Sequence, residues 1–266
     1  MSFEIVEKIL SQHPGAKFFK ADLHIHTPAS KDWDEHNTPE HHSDKITPEQ
    51  IVQASIDVGL ELISITDHNS VEWCEDIINA AKDTGLVVLP GFELSVNPGV
   101  HLLAIFPSNK PIAELRILLN TLGINDFGNA NVMTEENIID PSSNYKIVRD
   151  LQNAGAVIIP AHIDLGSGIV GRLRAGDAVK RFFLDTQCSI VEIGRAIPDF
   201  MVLELRDDPK KFAILKGSDS HTLADIGKRA IWIKMDKPNI VGISQLAFEP
   251  LGRLCKFEIN NKKRLS

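Results

Sequence analysis

Eight short apolar runs, separated by stretches with helical periodicity, constrain the fold of this chain more than any other feature. The runs span residues 18–24, 60–66, 87–94, 101–106, 156–161, 189–193, 213–217 and 230–235. Most are continuously apolar, which is typical of parallel strands that are covered on both faces. Strand and helix patterns alternate along the whole chain, and their number favours a barrel over an open dinucleotide-binding sheet. The sequence therefore predicts an α/β fold with a parallel, barrel-like sheet.

Helical signals fill many of the gaps between these runs. A helix over 48–58 is predicted to begin with Thr47 as N-cap, Pro48 at the first helical position and Gln50 as capping-box partner. Further helices are predicted over 70–84, 111–122, 142–154 and 239–248. Residues 27–46 and 124–141 fit neither pattern, and long irregular loops in a compact domain are commonly functional.

The charge and composition of the chain exclude some classes of binding partner. The 266 residues carry a formal charge of -8, which argues against unspecific binding to nucleic acid or to an anionic membrane. No apolar run is long enough to span a bilayer, and the N-terminus lacks the apolar core of a signal peptide. Cys74, Cys188 and Cys255 are odd in number and widely spaced, which indicates reduced thiols. We therefore expect a cytoplasmic protein with no membrane partner.

Histidines cluster at the borders of the apolar runs. In the first run, residues two apart share a face, so Asp22, His24 and His26 should point one way while Leu23 and Ile25 point the other. Two imidazoles this close are a ready pair of metal ligands.

Later runs repeat the pattern with His68, Glu93, His101, His162, Asp219 and His221. Strand ends converge on one face of a barrel, where active sites lie. Because buried imidazoles and carboxylates without partners are costly, a shared metal is the simplest explanation for the set.

The series DLHIHT, TDHN, GFE, His101, PAHID and GSDSH resembles the PHP family (polymerase and histidinol phosphatase domain) over nearly the entire chain. The resemblance implies a distorted (β/α)7 TIM-like barrel, with residues 1–266 forming a single PHP domain. It also implies divalent metals, three of them, as a trinuclear cluster of Mn, Fe or Zn.

The resemblance also implies a ligand set. His24, His26, Glu93 and Asp219 would hold one metal, and Glu93 would bridge to a second metal held by His101 and His162. His68 and His221 would hold the third, with Asp32 as its best further ligand and His36, His41 or His42 as alternatives from the same loop. Asp22 and Asp67 are expected to orient ligating histidines rather than to bind metal.

Adjacent divalent metals can share a hydroxide and clamp attacking and leaving oxygens, which suits phosphoester chemistry. We therefore expect a metal-dependent phosphoesterase, a hydrolase in which a metal-bridging hydroxide attacks a phosphate ester. The substrate would be a phosphorylated small molecule such as a nucleotide, or a nucleic-acid end. Glu93, Asp219 and His221 are the candidate catalytic residues. Candidate phosphate-binding cations are Arg172, Arg174, Arg195 and Lys216, each of which could equally be a solvated surface charge.

Two alternatives stay open at this point. An amidohydrolase-like metal hydrolase also uses an HxH pair on the first strand of a barrel, although it usually has a lysine ligand or lone histidines on middle strands. The other alternative is a PHP module that regulates or processes nucleic acid within a larger ATPase. Residues 236–254 are similar to PHP domains of the TrlF type, which are fused to ATPase modules. These 266 residues contain no P-loop, so a C-terminal ATPase module would lie outside them, and the chain would be the N-terminal portion of a longer protein.

Overall fold

The structure, a computed structural model, describes residues 15–33, 46–138, 140, 144–173 and 176–255. The strands in this part of the chain are β1 Lys17–Ile25, β2 Leu62–Ile65, β3 Val87–Val96, β4 Val100–Ile105, β5 Val157–Pro160, β6 Ile190–Glu192, β7 Ala213–Leu215, β8 Ile231–Met235 and β9 Leu254–Cys255. Each of the eight predicted runs forms one of the first eight strands. The two-residue strand β9 was not predicted, because it lies outside all eight apolar runs.

The helices are α1 Pro48–Asp57, α2 Cys74–Ala80, α3 Ile112–Thr121, α4 Lys146–Asn153, α5 Ile169–Leu173, α6 Gly176–Thr186, α7 Asp199–Asp207, α8 Ile240–Ser244 and α9 Pro250–Arg253. Helix α1 begins as predicted, with the Thr47 amide donating to Gln50 Oε1 at 2.9 Å. Helices α5, α6, α7 and α9 were not predicted. None of the helices in these described segments has the length and apolarity required to cross a bilayer.

Seven strands form one curled sheet in the order β5-β4-β3-β2-β1-β8-β9, and β6 pairs with β7. Backbone contacts join the two pieces on both sides. On one side the Ile163 amide, just beyond β5, donates to the Glu192 carbonyl on β6 at 2.9 Å. On the other, Ile25 on β1 forms a parallel bridge with Ser220, just beyond β7. Strands β1 to β7 therefore enclose a distorted (β/α)7 TIM-like barrel.

The sheet is mixed, which corrects the expectation of a parallel sheet. Strand β4 runs antiparallel to both β3 and β5, and β8 runs antiparallel to β1. The β3–β4 connection is a tight turn of a few residues, and a parallel pair would need a crossover of a dozen or more residues. Consequently β4 begins at the rim of the barrel where its neighbours end.

Two apolar clusters fill the molecule. The inner cluster takes residues from β1 through β8 and is completed by Ile243 and Leu246, in α8 and the turn after it. The outer cluster packs the other faces of the strands against α1 to α7. Both faces of most strands are thus buried, which explains their continuously apolar sequences.

A register irregularity between Asp22 and Ile25 interrupts the alternation of β1. Leu23 packs in the inner cluster, whereas Ile25 packs in the outer one. The sequence-based expectation that Leu23 and Ile25 share a face is therefore wrong. A bulge of this kind re-aims the side chains that follow it, and here those are His24 and His26.

Candidate metal centre

The strands bring eight of the nine predicted ligands to one rim of the barrel. His24 and His26 come from the end of β1, His68 follows β2, Glu93 lies in β3, His101 opens β4, His162 follows β5, and Asp219 and His221 follow β7. The reversed direction of β4 explains why His101 stands at the start of its strand rather than at the end. The ninth, Asp32, comes from the turn after β1.

The Glu93 carboxylate is fully buried at the centre of this group. Its Oε1 lies 3.0 Å from both His101 Nδ1 and His162 Nε2. Its Oε2 lies 2.8 Å from His68 Nδ1 and 3.4 Å from the Nε2 atoms of His24 and His26. One carboxylate therefore contacts five imidazoles, as expected of a bridging ligand.

Three sets of ligand atoms lie close enough to hold a metal ion: His24, His26, Glu93 and Asp219; His68, Glu93 and His101; and His26, His68 and His221. The first is the predicted set for one metal. The other two share members with the predicted sets but assign His68 and His26 differently, because these rings lie between neighbouring groups.

Asp32 lies beside the third of these sets. Its Oδ2 is 3.1 Å from His68 Nε2 and 3.3 Å from His221 Nε2. The alternatives His36, His41 and His42 lie outside the described residues.

Several atoms of the group are better placed to bind a cation than to form hydrogen bonds with one another. Asp32 Oδ1 is buried and makes no hydrogen bond with the described residues. Glu93 Oε2 and His221 Nε2 are also buried and make no hydrogen bond of good geometry there, although they lie close to His68 and Asp32. The Nε2 atoms of His24 and His26 face each other at 3.1 Å. Buried polar atoms without hydrogen bonds are costly, and a divalent metal would be the missing partner for each of them. The residues present therefore fit a metal cluster.

The two carboxylates and His26 are in the forms that bind metal. Burial alone would raise the pKa of Glu93, but His101, His24 and His68 hold it well below its usual range. Burial likewise opposes ionisation of Asp219, yet the nearby His24 and a hydrogen bond with His26 lower its pKa. Burial, with His68 and His221 close by, lowers the pKa of His26 to about 3. Ionised carboxylates and neutral imidazoles are the forms that bind metals. Although burial alone would lower them, Glu192 raises the pKa of His24 well above its usual range and Glu93 raises that of His68 to about 10. These two imidazoles would therefore release protons on binding metal.

Glu192 on β6 supports His24 and was missed by the sequence analysis. Its two carboxylate oxygens lie 3.1 and 3.0 Å from His24 Nδ1, and one of them accepts the His162 amide at 3.3 Å. The available signal was a lone acidic residue inside an apolar run, since buried glutamates nearly always have a partner.

Asp67 orients His26 indirectly, through the hydroxyl of Ser30. The Nδ1 of His26 lies 2.8 Å from Ser30 Oγ, and this hydroxyl donates to Asp67 Oδ1 at 2.8 Å. Burial, partly offset by hydrogen bonds from Thr27, raises the pKa of Asp67 to about 6. Asp67 therefore acts on a histidine as expected, although only through Ser30.

Asp22 does not have the predicted role. Its carboxylate accepts the backbone amides of Ser218 at 3.1 Å and Gly227 at 2.9 Å, and the weaker bond from the His24 amide is 3.4 Å long. None of these contacts involves an imidazole. Because the bulge in β1 turns Asp22 away from His24, its carboxylate ties β1 to the loop after β7 instead.

The backbone of two site residues adopts a conformation that non-glycine residues rarely use. His162 has a φ of 27° and Asp219 a φ of 51°. Such conformations cost free energy and persist where the surroundings enforce them, typically at functional sites.

Solvent reaches the group from one side. The side chains of Asp32 and Asp219 are 35% and 34% exposed, whereas those of His24, His26 and Glu93 are not exposed at all. The irregular stretch 124–138 borders the neighbouring loops, since the Gly128 carbonyl accepts the Lys31 amide at 2.8 Å. A substrate would therefore approach over Asp32 and Asp219.

The predicted phosphate-binding cations have different surroundings. Arg172 donates to the Gly99 carbonyl at 3.2 Å, two residues before His101. Arg195 is exposed, and its amide donates to Asp164 at 2.7 Å, two residues after His162. Lys216 lines a groove on the outer wall of the barrel. Arg174 lies outside the described residues.

Comparison with known proteins gives a family match and several similar folds. A family model described as the PHP domain matches residues 22–157. No curated protein matches the chain in sequence. Similar solved structures include a two-domain protein from Bacteroides vulgatus containing a predicted PHP-like metal-dependent phosphoesterase, with 16% identity and a TM-score of 0.60. Another is the lesion-specific endonuclease Q from Pyrococcus furiosus, with 18% identity and a TM-score of 0.62.

A second structure of endonuclease Q, in complex with a 27-mer duplex that has an abasic lesion at the active site, gives 19% identity and a TM-score of 0.66. The matches cover 88%, 89% and 89% of this chain but only 64%, 57% and 58% of the respective similar proteins. At these identities the likeness concerns the fold.

Proposed function

The chain belongs to the PHP domain family, and from that premise we propose that it is a phosphoesterase that depends on divalent metals bound at the rim of its barrel. The observation that supports this most is the buried Glu93 carboxylate in contact with five imidazoles. Structural metal sites are closed, whereas catalytic ones keep an open position. This group is open to solvent over Asp32 and Asp219.

The proposed ligands for three metals, Mn, Fe or Zn, are His24, His26, Asp32, His68, Glu93, His101, His162, Asp219 and His221. Divalent metals bound there would lower the pKa of water and neutralise charge on a phosphoryl group. The ligand set contains no thiolate and no lysine, which suits these metals and does not favour the amidohydrolase-like alternative.

The chain's own residues would supply orientation and proton transfer. Glu192 would hold the His24 ring through Nδ1, so that Nε2 faces the Glu93 and Asp219 carboxylates. His221 is 21% exposed on the open side. Its Nε2 would either bind the third metal or, where that metal is not bound, give a proton to a leaving oxygen; it would not do both. Arg172 and Arg195 are the cations proposed to bind the outer oxygens of the phosphate.

A nucleotide or a nucleic-acid end is the proposed substrate class. Endonuclease Q, which has a similar fold, is described with a 27-mer duplex substrate that has an abasic lesion, and this suggests nucleic acid as a substrate to test. A fusion to an ATPase module remains part of the proposal for a longer native protein.

Turnover by the purified chain tests the proposal. The protein is loaded with Mn, Fe or Zn in turn and assayed on p-nitrophenyl phosphate, bis(p-nitrophenyl) phosphate and a labelled duplex with an abasic site. Glu93→Gln should lower turnover at least about 100-fold, because a ligand matters at least as much as the groups that orient ligands. Glu114→Gln, an exposed change of the same kind on α3, should leave turnover unaltered.

Hydrolysis of an amide or lactone without any phosphoesterase activity would favour the amidohydrolase-like alternative. Absence of turnover on every phosphate ester with all three metals would count against the proposal.

A further inference from the structure

A groove of about 450 Å³ lies on the outer wall of the barrel, where β7, β1 and β8 meet. Four cations line it, and no aspartate or glutamate occurs among its described lining residues: the cations are Lys20, Lys216, Lys228 and Arg229. The whole chain, by contrast, carries a formal charge of -8. The basic character of this outer groove is therefore a local exception.

Contacts within the molecule leave most of this charge unbalanced. Lys20 Nζ donates to the Val58 carbonyl at 2.7 Å, and Arg229 donates to two backbone carbonyls. Because backbone carbonyls are uncharged, these bonds leave both positive charges unneutralised. Lys228 Nζ lies 2.5 Å from Asp225 Oδ1, but both side chains are largely exposed. Lys216 is exposed and makes no hydrogen bond or ion pair within the described segments. The groove is thus suited to an anion.

An aromatic ring lies beside these cations. Trp232 on β8 is directly opposite Lys20 in the antiparallel β1–β8 ladder, so their side chains stand on the same face of the sheet. Its ring is partly exposed, next to apolar neighbours such as Ile214. Basic grooves with exposed aromatic rings bind nucleotides by pairing phosphates with cations and stacking bases on rings.

The outer groove is separate from the metal centre. Gly217, the residue after Lys216, turns to the other side of the strand end, where a Cβ atom would lie 2.3 Å from Glu192 Oε2 and 2.6 Å from His24 Cβ. Lys216 and the His24–Glu192 pair therefore lie on opposite sides of the same segment. A ligand in the groove would not be the ester that reacts.

We propose that the outer groove binds one nucleotide unit, with its base against Trp232 and its phosphate on Lys216, Lys228 and Arg229. The unit is either a free nucleotide or part of a strand whose other end extends over the rim. The volume of the groove is within the range of sites that hold small ligands. The assignment rests on the groove alone and stands whether or not the metal centre hydrolyses phosphate esters.

Binding measured without metal tests the assignment separately from hydrolysis. The full chain is stripped with a chelator and titrated into a fluorescein-labelled single strand of about ten nucleotides while anisotropy is recorded. Lys216→Glu should weaken binding about tenfold, and the salt dependence should become less steep. Trp232→Leu should weaken it to a similar degree, and Trp232→Phe should weaken it less, since a ring is kept.

Lys210→Glu is the matched control, because Lys210 is an exposed lysine that does not line the groove. Circular dichroism of each variant establishes that it is folded. Displacement of the strand by adenosine monophosphate identifies a free nucleotide as a sufficient ligand, and a lack of displacement identifies the strand as the ligand. Equal weakening by Lys210→Glu and Lys216→Glu, or no binding by the wild-type chain, would overturn the assignment.

Discussion

Among single residues, Glu192 shapes the metal centre without belonging to its proposed ligands. Its carboxylate lies 3.0 Å from Nδ1 of His24, and the opposite ring nitrogen faces Glu93 and Asp219. Burial alone would lower the pKa of His24, but Glu192, Asp219 and Glu93 raise it well above 6.5. A carboxylate behind a histidine sets the orientation of the ring and the basicity of its other nitrogen.

We expect Glu192→Gln to weaken metal binding or turnover by about 10- to 100-fold, because the amide keeps the shape but loses the negative charge behind His24. Metal affinity is measured by titration with Mn, and turnover on a phosphate ester is measured at saturating metal. A purely structural role would alter the unfolding temperature alone, so an unchanged metal affinity and turnover would contradict the positioning role. Glu114→Gln again provides the exposed control.

Eight of the nine proposed ligands were accessible from the sequence because each stands at or next to the border of an apolar run, where strand ends meet. Asp32 lies in the loop after β1 and was assigned only by the family resemblance. Glu192 lies one residue from the end of the run 189–193, much as Glu93 lies in 87–94, but it was not recognised because no motif of the family resemblance includes it. Asp22 was assigned to the wrong face because strict alternation was assumed for β1. The bulge that breaks this alternation depends on contacts with β2, which a single sequence does not reveal.

Among the elements, the β3–β4 hairpin brings two site residues together within a short piece of chain. Glu93 pairs with Leu103 and Ser95 pairs with His101 in the antiparallel register. Gly91 lies in the same strand, opposite Ile105. A Cβ atom at Gly91 would lie 2.7 Å from the Ala104 carbonyl oxygen and 3.2 Å from the Ile65 carbonyl oxygen.

Gly91→Ala should therefore destabilise the protein by about 1–3 kcal/mol, since both neighbouring strands would have to move. Turnover should fall as well, because Glu93 is two residues away. Urea unfolding followed by circular dichroism gives the free energy of unfolding. Gly176→Ala is the control, as a Cβ atom there meets no heavy atom within 4 Å and the position lies in a helix. Equal stability of the two variants would show that β3 and β4 are not packed this closely.

The existence of the strands could be predicted, but their directions could not. An apolar run such as 101–106 is equally compatible with a strand parallel or antiparallel to its neighbours. Only the short turn between β3 and β4 indicates a hairpin. Helix α6 was missed although Val179, Phe182, Phe183 and Thr186 are buried at helical spacing. Its amphipathic period was recoverable from the sequence, whereas α5, with five residues, is too short to give a period.

For the whole molecule, bound metal should raise the stability of the native state. Only the folded chain gathers the proposed ligands from six strands and the adjoining loops, so metal should bind the native state in preference to the unfolded one. At a free metal concentration about 100 times the dissociation constant, one site adds about 2.7 kcal/mol. We expect Mn to raise the melting temperature by roughly 5–10 °C and a chelator to reverse the shift. A melting temperature that is the same with Mn and with chelator would contradict a native metal centre.

The buried thiols should be inert in the folded protein. Burial raises the pKa of Cys74 to about 12 and of Cys188 to about 11, from 9.0. Because the folded state holds these protons more tightly, their contribution to stability is complete below about pH 9 and is lost as the pH rises towards 12.

A thiol reagent at pH 8 should therefore modify at most the partly buried Cys255 in the native protein, and all three cysteines after unfolding. Rapid modification of two or three thiols in the native state would contradict the burial of Cys74 and Cys188.

Closure of the barrel between β1 and the segment after β7 also has a consequence for how the protein is made. The Asp219 amide donates to the His24 carbonyl, and the His26 amide donates to the Ser220 carbonyl. Residues nearly 200 positions apart therefore complete the first proposed ligand set. During translation, His24 and His26 emerge from the ribosome long before Asp219 is synthesised. The growing chain can therefore pair Glu93 with His101 early, but it cannot assemble the full ligand set until most of its length has been translated.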